Sequence, residues 1–315
     1  EEELAVQTTK VLLRLQREGL GQASLKLAEG KEVFLNVIDA FPESDRVARL
    51  AGKVLSNAAG DSVEELLESV QDRSVMQVRA LTMLSSIVTN AATAEEVISK
   101  GGMAILTDVV QNTTSPKALE QCALIVERLA SNPANAKEIV SSGLMKAVVD
   151  ALAKQENTAE SAAALIGAML AVGATGDYVS SIVEMDGAKR VVECLQKHGD
   201  DAAVGKIAAD FLGQASASSA VDTAALIDRE ALEALVGVMK ANPDDMVTQM
   251  AVTTALNQIA GSGGDLEGLG KDGIVPIVVH NMEALGGDPE MLVESMRLLS
   301  SLAAVPAQRD AIIAA

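Results

Sequence analysis

Asn132-Pro133-Ala134-Asn135-Ala136-Lys137-Glu138-Ile139-Val140-Ser141-Ser142-Gly143 is the stretch on which the fold turns. A proline near a helix start removes no interior hydrogen bond. Apolar residues then follow at helical spacing, and a glycine closes the segment where a side chain would obstruct a tight backbone turn. The stretch reads as a short amphipathic helix ending at a corner. Ala94-Glu95-Glu96-Val97-Ile98 and Tyr178-Val179-Ser180-Ser181-Ile182-Val183 have the same character. A glycine or a substitute opens an apolar helix at Gly30, Gly102, Gly143, Gly187, Ala231 and Gly273, and the last four intervals are 41, 44, 44 and 42 residues.

A second landmark keeps the same pace. Long helices close on paired aliphatics, as in Leu84-Ser85-Ser86-Ile87, Val126-Glu127-Arg128-Leu129, Leu256-Asn257-Gln258-Ile259 and Leu299-Ser300-Ser301-Leu302. Taking Arg14, Asn57, Ser86, Arg128, Ala171, Gln214, Gln258 and Ser301 as equivalent gives intervals of 43, 29, 42, 43, 43, 44 and 43. One unit is therefore short helix, glycine corner, second helix, polar turn and long third helix. A period of roughly 40–47 residues marks helical solenoids of the armadillo and HEAT class, in which each unit buries its apolar face on the next.

Particular segments resemble the armadillo family. Gly273-Ile274-Val275-Pro276-Ile277-Val278 is similar to that family's second-helix opening. Ala51-Gly52-Lys53-Val54-Leu55-Ser56-Asn57-Ala58-Ala59 is similar to its third helix with the characteristic asparagine, and residues 132–143 to its first helix and glycine turn. The resemblance covers essentially the whole chain and implies an all-α fold, a right-handed α-α superhelix of the armadillo type. We expect one solenoid over 1–315, with a partial unit at 1–29, units at 30–61, 92–131, 132–174, 175–218, 219–262 and 263–305, and a partial unit at 306–315. The unit at 62–91 is short by the length of a first helix and is expected to hold two helices. Both ends are expected to cut through repeats, and the opening Glu1-Glu2-Glu3, without an initiating Met, points to a segment of a longer protein.

Composition narrows the function. The chain has 315 residues with no Trp, one Tyr and three Phe, yet 49% of it is apolar, so aliphatic side chains must build the core, as suits close-packed helices. A formal charge of −19 argues against a general role on nucleic acid or anionic lipid, since both require a positive field. Cys122 and Cys194 are too few for a disulfide framework and read as buried thiols in a reducing compartment, which points to the cytoplasm. The longest uncharged stretch, Ser161 to Gly176, falls short of the roughly 20 residues a membrane span needs and reads as a buried helix. Asn112-Thr113-Thr114 is a single sequon of little weight.

No residue pattern makes a catalytic or cofactor site. Gly30-Lys31 lacks a phosphate-binding loop, with Leu25 in place of the first glycine and Glu32 in place of the hydroxyl residue. Gly261-Ser262-Gly263-Gly264 follows a helix, whereas a dinucleotide fingerprint follows a strand. Cys194 and His198 stand four apart with no second pair to complete a metal site, and read as a buried thiol and a helix-terminal histidine. His280 has no nucleophile beside it. Glu64-Glu65 and Asp244-Asp245 read as solvated faces or helix starts. We therefore expect no enzyme, no cofactor and no metal.

The resemblance also indicates where a partner would sit. Nuclear-import adaptors of the armadillo family hold extended basic peptides with Trp and Asn ladders on the third helices. Here the Trp slot reads Lys10, Lys53, Thr82, Leu124, Gly167, Asp210, Thr254 and Arg297, and the Asn slot keeps Asn only at Asn57, which argues against that ladder. The groove residues expected to meet a partner are Lys10, Arg14, Arg49, Lys53, Asn57, Ser86, Arg128, Gln214, Gln258, Arg297 and Ser301. Lys10, Arg14, Arg49, Lys53 and Asn57 form a basic group that reads either as a solvated helix face or as a site for an acidic or phosphorylated partner segment. The expectation is a protein-binding scaffold. It is either an adaptor that reads a peptide, a fixed subunit of a large cytoskeletal or ciliary assembly, or a folding helper similar to the myosin-directed armadillo chaperones.

Overall fold

The structure, a computed structural model, describes residues 2–17, 40, 47, 50, 63–71, 76–175, 178–219, 221–222, 227–264, 269, 273–284 and 287–314. Those residues form helices and turns, with no strand among them. Contacts divide the chain into two compact units, 1–135 and 136–315, with the boundary inside α7 (Pro133–Ser141).

The first unit contains α1 (Glu2–Arg17), α2 (Val63–Gln71), α3 (Met76–Ile87), α4 (Ala91–Ser99), α5 (Gly102–Asn112) and α6 (Pro116–Ala130). The second helices α2 and α5 lie against each other, and so do the third helices α3 and α6, with α4 wedged on α5 and α6. The apolar faces that meet are aliphatic: Leu81, Leu84, Leu106, Leu119, Ile125 and Leu129 are all fully buried. Removing each such side chain from water is worth about 1.5–3 kcal/mol, which holds the stack together without aromatics. Residues 51–62, on which the expected loss of a first helix from the short unit depends, lie outside the described residues.

The second unit contains α8 (Leu144–Ala151), α9 (Ala159–Gly173), α10 (Tyr178–Glu184), α11 (Gly187–His198), α12 (Ala202–Ala217), α13 (Arg229–Ala241), α14 (Met246–Gly261), α15 (Ile274–Ala284), α16 (Pro289–Ala303) and α17 (Pro306–Ala314). Third helices pack in series, α9 on α12, α12 on α14 and α14 on α16, while second helices run α8, α11, α13, α15. α9 is the buried helix expected from the uncharged stretch. The approach of α12 to its neighbours depends on small residues: a Cβ on Gly205 would stand 2.5 Å from Val238 Cγ1, and one on Gly213 would stand 3.1 Å from Ala255 Cα.

Local chemistry explains the polar turns before the third helices. Ser115, Thr158, Asp201, Asp245 and Asp288 each sit in extended backbone and accept from a backbone N–H of the first turn that follows. These caps satisfy donors that a helix start leaves open. Asp245, in the acidic pair read as a helix start, accepts from Thr248 N at 3.0 Å.

The carbonyls at the other helix ends are met by side-chain amides from the next helix or from the turn that leads into it. Gln77 Nε2 donates to Val70 O at 2.9 Å, Asn157 Nδ2 to Ala151 O at 2.7 Å, and Gln249 Nε2 to Met239 O and Asn242 O at 2.8 Å. These bonds close α2, α8 and α13.

The corners between first and second helices differ from the single glycine landmark read in the sequence, because two adjacent positions are constrained. The first adopts the left-handed backbone, at Gly101 (φ 79°), Gly143 (φ 85°), Asp186 (φ 69°) and Gly273 (φ 77°). The second packs against the preceding helix. There a Cβ on Gly102 would lie 2.6 Å from Val97 O, and one on Gly187 would lie 2.6 Å from Ile182 O. Gly102 and Gly187 thus serve close approach, while Gly143 and Gly273 serve the turn itself. Ala231 does not open its helix: α13 begins at Arg229 behind an extended Asp228 cap, whose carboxylate accepts from Ala231 N at 3.0 Å.

Candidate partner-binding surface

On the second unit, the residues of α9, α12, α14 and α16 left over after packing form the candidate surface. α9 contributes Ala163, Gly167 and Ala171, all half-buried, so its part is smooth and offers no side-chain polar group. α12 contributes Lys206 and Asp210, paired at 2.6 Å one turn apart, and then Gln214. α14 contributes Met250, Thr254, Asn257 and the exposed Gln258. Asn257 Nδ2 reaches α16, donating to Glu294 O at 2.9 Å and to Glu294 Oε2 at 2.7 Å. Glu294 also receives Arg297 Nη1 at 2.7 Å, and Ser301 Oγ returns to Arg297 O at 3.1 Å.

A cavity of about 440 Å³ opens among these helices, with Asp210, Gln214, Thr254 and Gln258 in its polar wall and Gly173, Ala174, Val179 and Ala209 in its apolar one. Gln214 leans over Gly173, where a Cβ would stand 2.9 Å from Gln214 Oε1, an atom with no hydrogen-bond donor. Two glutamines on consecutive third helices thus flank one cavity, and this pairing was visible in the sequence as the equivalent positions Gln214 and Gln258.

The other expected groove residues are less uniform. Lys10 is exposed on α1, and Arg14 lies on the same helix, but Arg49, Lys53 and Asn57 lie outside the described residues. Ser86 is buried and gives its hydroxyl to Met83 O at 2.7 Å, so its side chain is used within its own helix. Arg128 is half-buried in the last turn of α6, where a cation favours the helix dipole.

The remaining chemistry-bearing residues stay apart. Cys122 and Cys194 are free and buried. Burial pushes the Cys194 thiol up to about 11, with Lys197 pulling in the opposite direction. Among the described residues there is no cluster of three or more His, Cys, Asp or Glu side chains placed to hold a metal ion. None of the described helices is long and apolar enough to cross a membrane.

Stacked second and third helices and glycine corners define the armadillo-repeat class of scaffold. Within that class, residues 29–312 match the family model of the GAC ARM domain, and the chain belongs to that family. No curated protein matches the sequence. Among solved structures, an engineered protein from a structural-genomics consortium superposes with a TM-score of 0.65 at 22% identity, covering 77% of this chain and 99% of that one. A computationally designed armadillo repeat protein for modular peptide recognition gives 0.62 at 17% identity, covering 76% and 99%. A designed armadillo repeat protein in complex with the peptide (KR)4 gives 0.60 at 15% identity, again covering 76% and 99%. At these identities the likeness is one of fold.

Proposed function

We propose that this chain is a protein-binding scaffold without chemistry of its own, and that the third-helix surface of its second unit receives a segment of a partner protein. The observation that carries the reading is the cavity shared by α9, α12 and α14, where Gln214 and Gln258 present amide groups beside an apolar wall. An amide carries both a donor and an acceptor, so it suits the backbone of a bound segment, and the wall of Ala and Gly admits close contact. Peptide recognition by designed proteins of the same fold supports the reading.

We further infer a broad protein contact in preference to residue-by-residue peptide reading, which favours a fixed subunit of a larger assembly over an adaptor. Gly167 and Ala171 interrupt any polar ladder, so successive units do not repeat one binding chemistry. Free buried thiols accord with a cytoplasmic setting, where cytoskeletal or ciliary assemblies would be candidates. The acidic or phosphorylated partner proposed for the basic group around Lys10 and Lys53 is tested separately, by reversing Arg14 and Lys53 to Glu and measuring partner capture.

The central test places a photo-crosslinking residue at Gln258 and, as a control, at the exposed Lys137 of α7. Crosslinked partners should form at position 258, within one large complex by size analysis, and should disappear when Thr254→Arg fills the cavity. Equal crosslinking from both positions, or capture untouched by Thr254→Arg, would refute the assignment of this surface.

A further inference from the structure

Helix α11 separates two cavities of opposite charge in the second unit. One, of about 620 Å³, has six carboxylates in its wall, among them Glu184, Asp186 and Asp228, against a single lysine, Lys189. The other, of about 250 Å³, lies between α11 and the turn at residues 152–157 that joins α8 to α9. Its wall carries Lys154, Arg190, Lys197 and His198 with one carboxylate, Glu193. Glu193 is already engaged, since Arg190 Nη1 donates to its Oε2 at 2.7 Å. In a chain of formal charge −19, three Lys and Arg cations around one concavity reverse the background.

A second observation points the same way. Arg190 Nε and His198 Nε2 are both buried and make no hydrogen bond. The guanidinium nitrogen is always a donor, and a buried donor lacking an acceptor is a group for which an acceptor has to be sought. Neither nitrogen meets solvent in this arrangement, so engaging a guest requires a rotamer step of the guanidinium or the imidazole. Lys197 braces the rim: its Nζ donates to Gln155 O at 3.0 Å and Asn157 O at 3.4 Å. An ammonium has three N–H groups, so two carbonyls leave it one donor.

We propose that this cavity is an oxyanion subsite that takes a phosphate monoester or a carboxylate carried by a partner protein. Arg190 supplies the directional charge-assisted bond through its guanidinium, Lys197 supplies the point charge at the rim, and His198 completes the cradle. The site lies on the second helix of its unit and stands independently of the third-helix surface, so variants of one leave the other to be read separately.

The test is an NMR titration of the 15N-labelled protein with inorganic phosphate and, in a second arm, with acetate, at ionic strength held constant with sodium chloride. The Arg190 Nε–H resonance should shift saturably. Arg190→Gln and Lys197→Gln should each weaken binding at least tenfold, followed on neighbouring backbone amides. Lys189→Gln, which faces the acidic cavity, should leave it unchanged. Saturation by phosphate alone assigns the guest as a phosphate ester, and saturation by both anions admits a carboxylate. Absence of saturable shifts with either anion overturns the proposal, as does equal weakening by Lys189→Gln, which would mean a diffuse field and no built site. Arg190 is 31% exposed, so Arg190→Gln keeps the test readable if Lys197→Gln disturbs the turn.

Discussion

Gly187→Ala is the sharpest probe of how these repeats turn. A Cβ at this position would lie 2.6 Å from Ile182 O, 2.7 Å from Ile182 Cγ2 and 3.1 Å from Met169 Cε. Met169 Cε ends a flexible side chain and gives way by rotation, whereas Ile182 Cγ2 is the β-carbon methyl of a fully buried, β-branched residue and moves only with its helix. The carbonyl belongs to the backbone of α10, so the corner itself has to open by roughly 0.8 Å or more to reach ordinary contact distance. Forced overpacking of this kind costs about 1–3 kcal/mol. Alanine's helical advantage over glycine, about 0.5–1 kcal/mol in a helix interior, is smaller in the first turn and does not cancel it. The net expectation is a loss of about 1–2 kcal/mol. Gly237→Ala is the matched control: it lies within α13, exposed, with nothing within 4 Å of the added methyl. It should gain about 0.5–1 kcal/mol. Urea unfolding followed by far-UV circular dichroism reads both midpoints, and hydrogen exchange locates the loss at α10 and α11, since repeat proteins unfold in parts. A Gly187→Ala midpoint at or above that of the parent protein, alongside a raised midpoint for Gly237→Ala, would refute the close-approach argument.

Two further outcomes follow from buried polar and thiol groups. Gln249 is fully buried, donates to Met239 O and Asn242 O, and accepts from Asn281 Nδ2 at 2.7 Å. Gln249→Ala strands all three partners, and thermal unfolding should show a loss of about 3–5 kcal/mol, whereas a loss below about 1 kcal/mol would mean water replaces the amide. For Cys194, burial lifts the thiol from 9.0 to about 11, so the native state holds the proton more tightly than the unfolded chain. The stability tied to that proton is complete below about pH 9 and is lost as pH rises from there toward 11. At pH 8 the native thiol should alkylate roughly a hundredfold more slowly than in the unfolded protein, and equal rates would contradict its burial.

The repeat was legible because its strongest constraint is written in residue type and spacing. Caps recur at Ser115, Thr158, Asp201, Asp245 and Asp288 because each new helix must satisfy its first N–H groups, and the third-helix landmarks recur because each unit buries its apolar face on the next. The division of labour within the corners was not legible. Gly101-Gly102 and Asp186-Gly187 separate a torsional demand from a packing demand, and residue type alone does not distinguish the two because glycine meets either. Ala231 was misplaced because its spacing fits while its helix begins differently, behind a conventional carboxylate cap. Of the candidate surface, Gln214 and Gln258 were visible as equivalents on consecutive third helices. Ser86 shared their register, yet its short hydroxyl turns back onto Met83 O, which register cannot reveal. The basic cavity beside α11 was missed because Lys154 comes from a different helix pair than Arg190 and Lys197. Its one sequence signal was the lone His198 four residues after Cys194.

The side-chain amides that close the second helices also make those joints depend on a neutral nitrogen donor. Asn157 Nδ2 donates to Ala151 O and Leu152 O at 2.7 and 3.2 Å while the residue is almost wholly buried. Hydrolysis of that amide to a carboxylate would replace a double donor with a group that only accepts, setting a negative charge against two carbonyl oxygens. A carboxylate at this one position would therefore turn a helix latch into a wedge and fray the joint between α8 and α9.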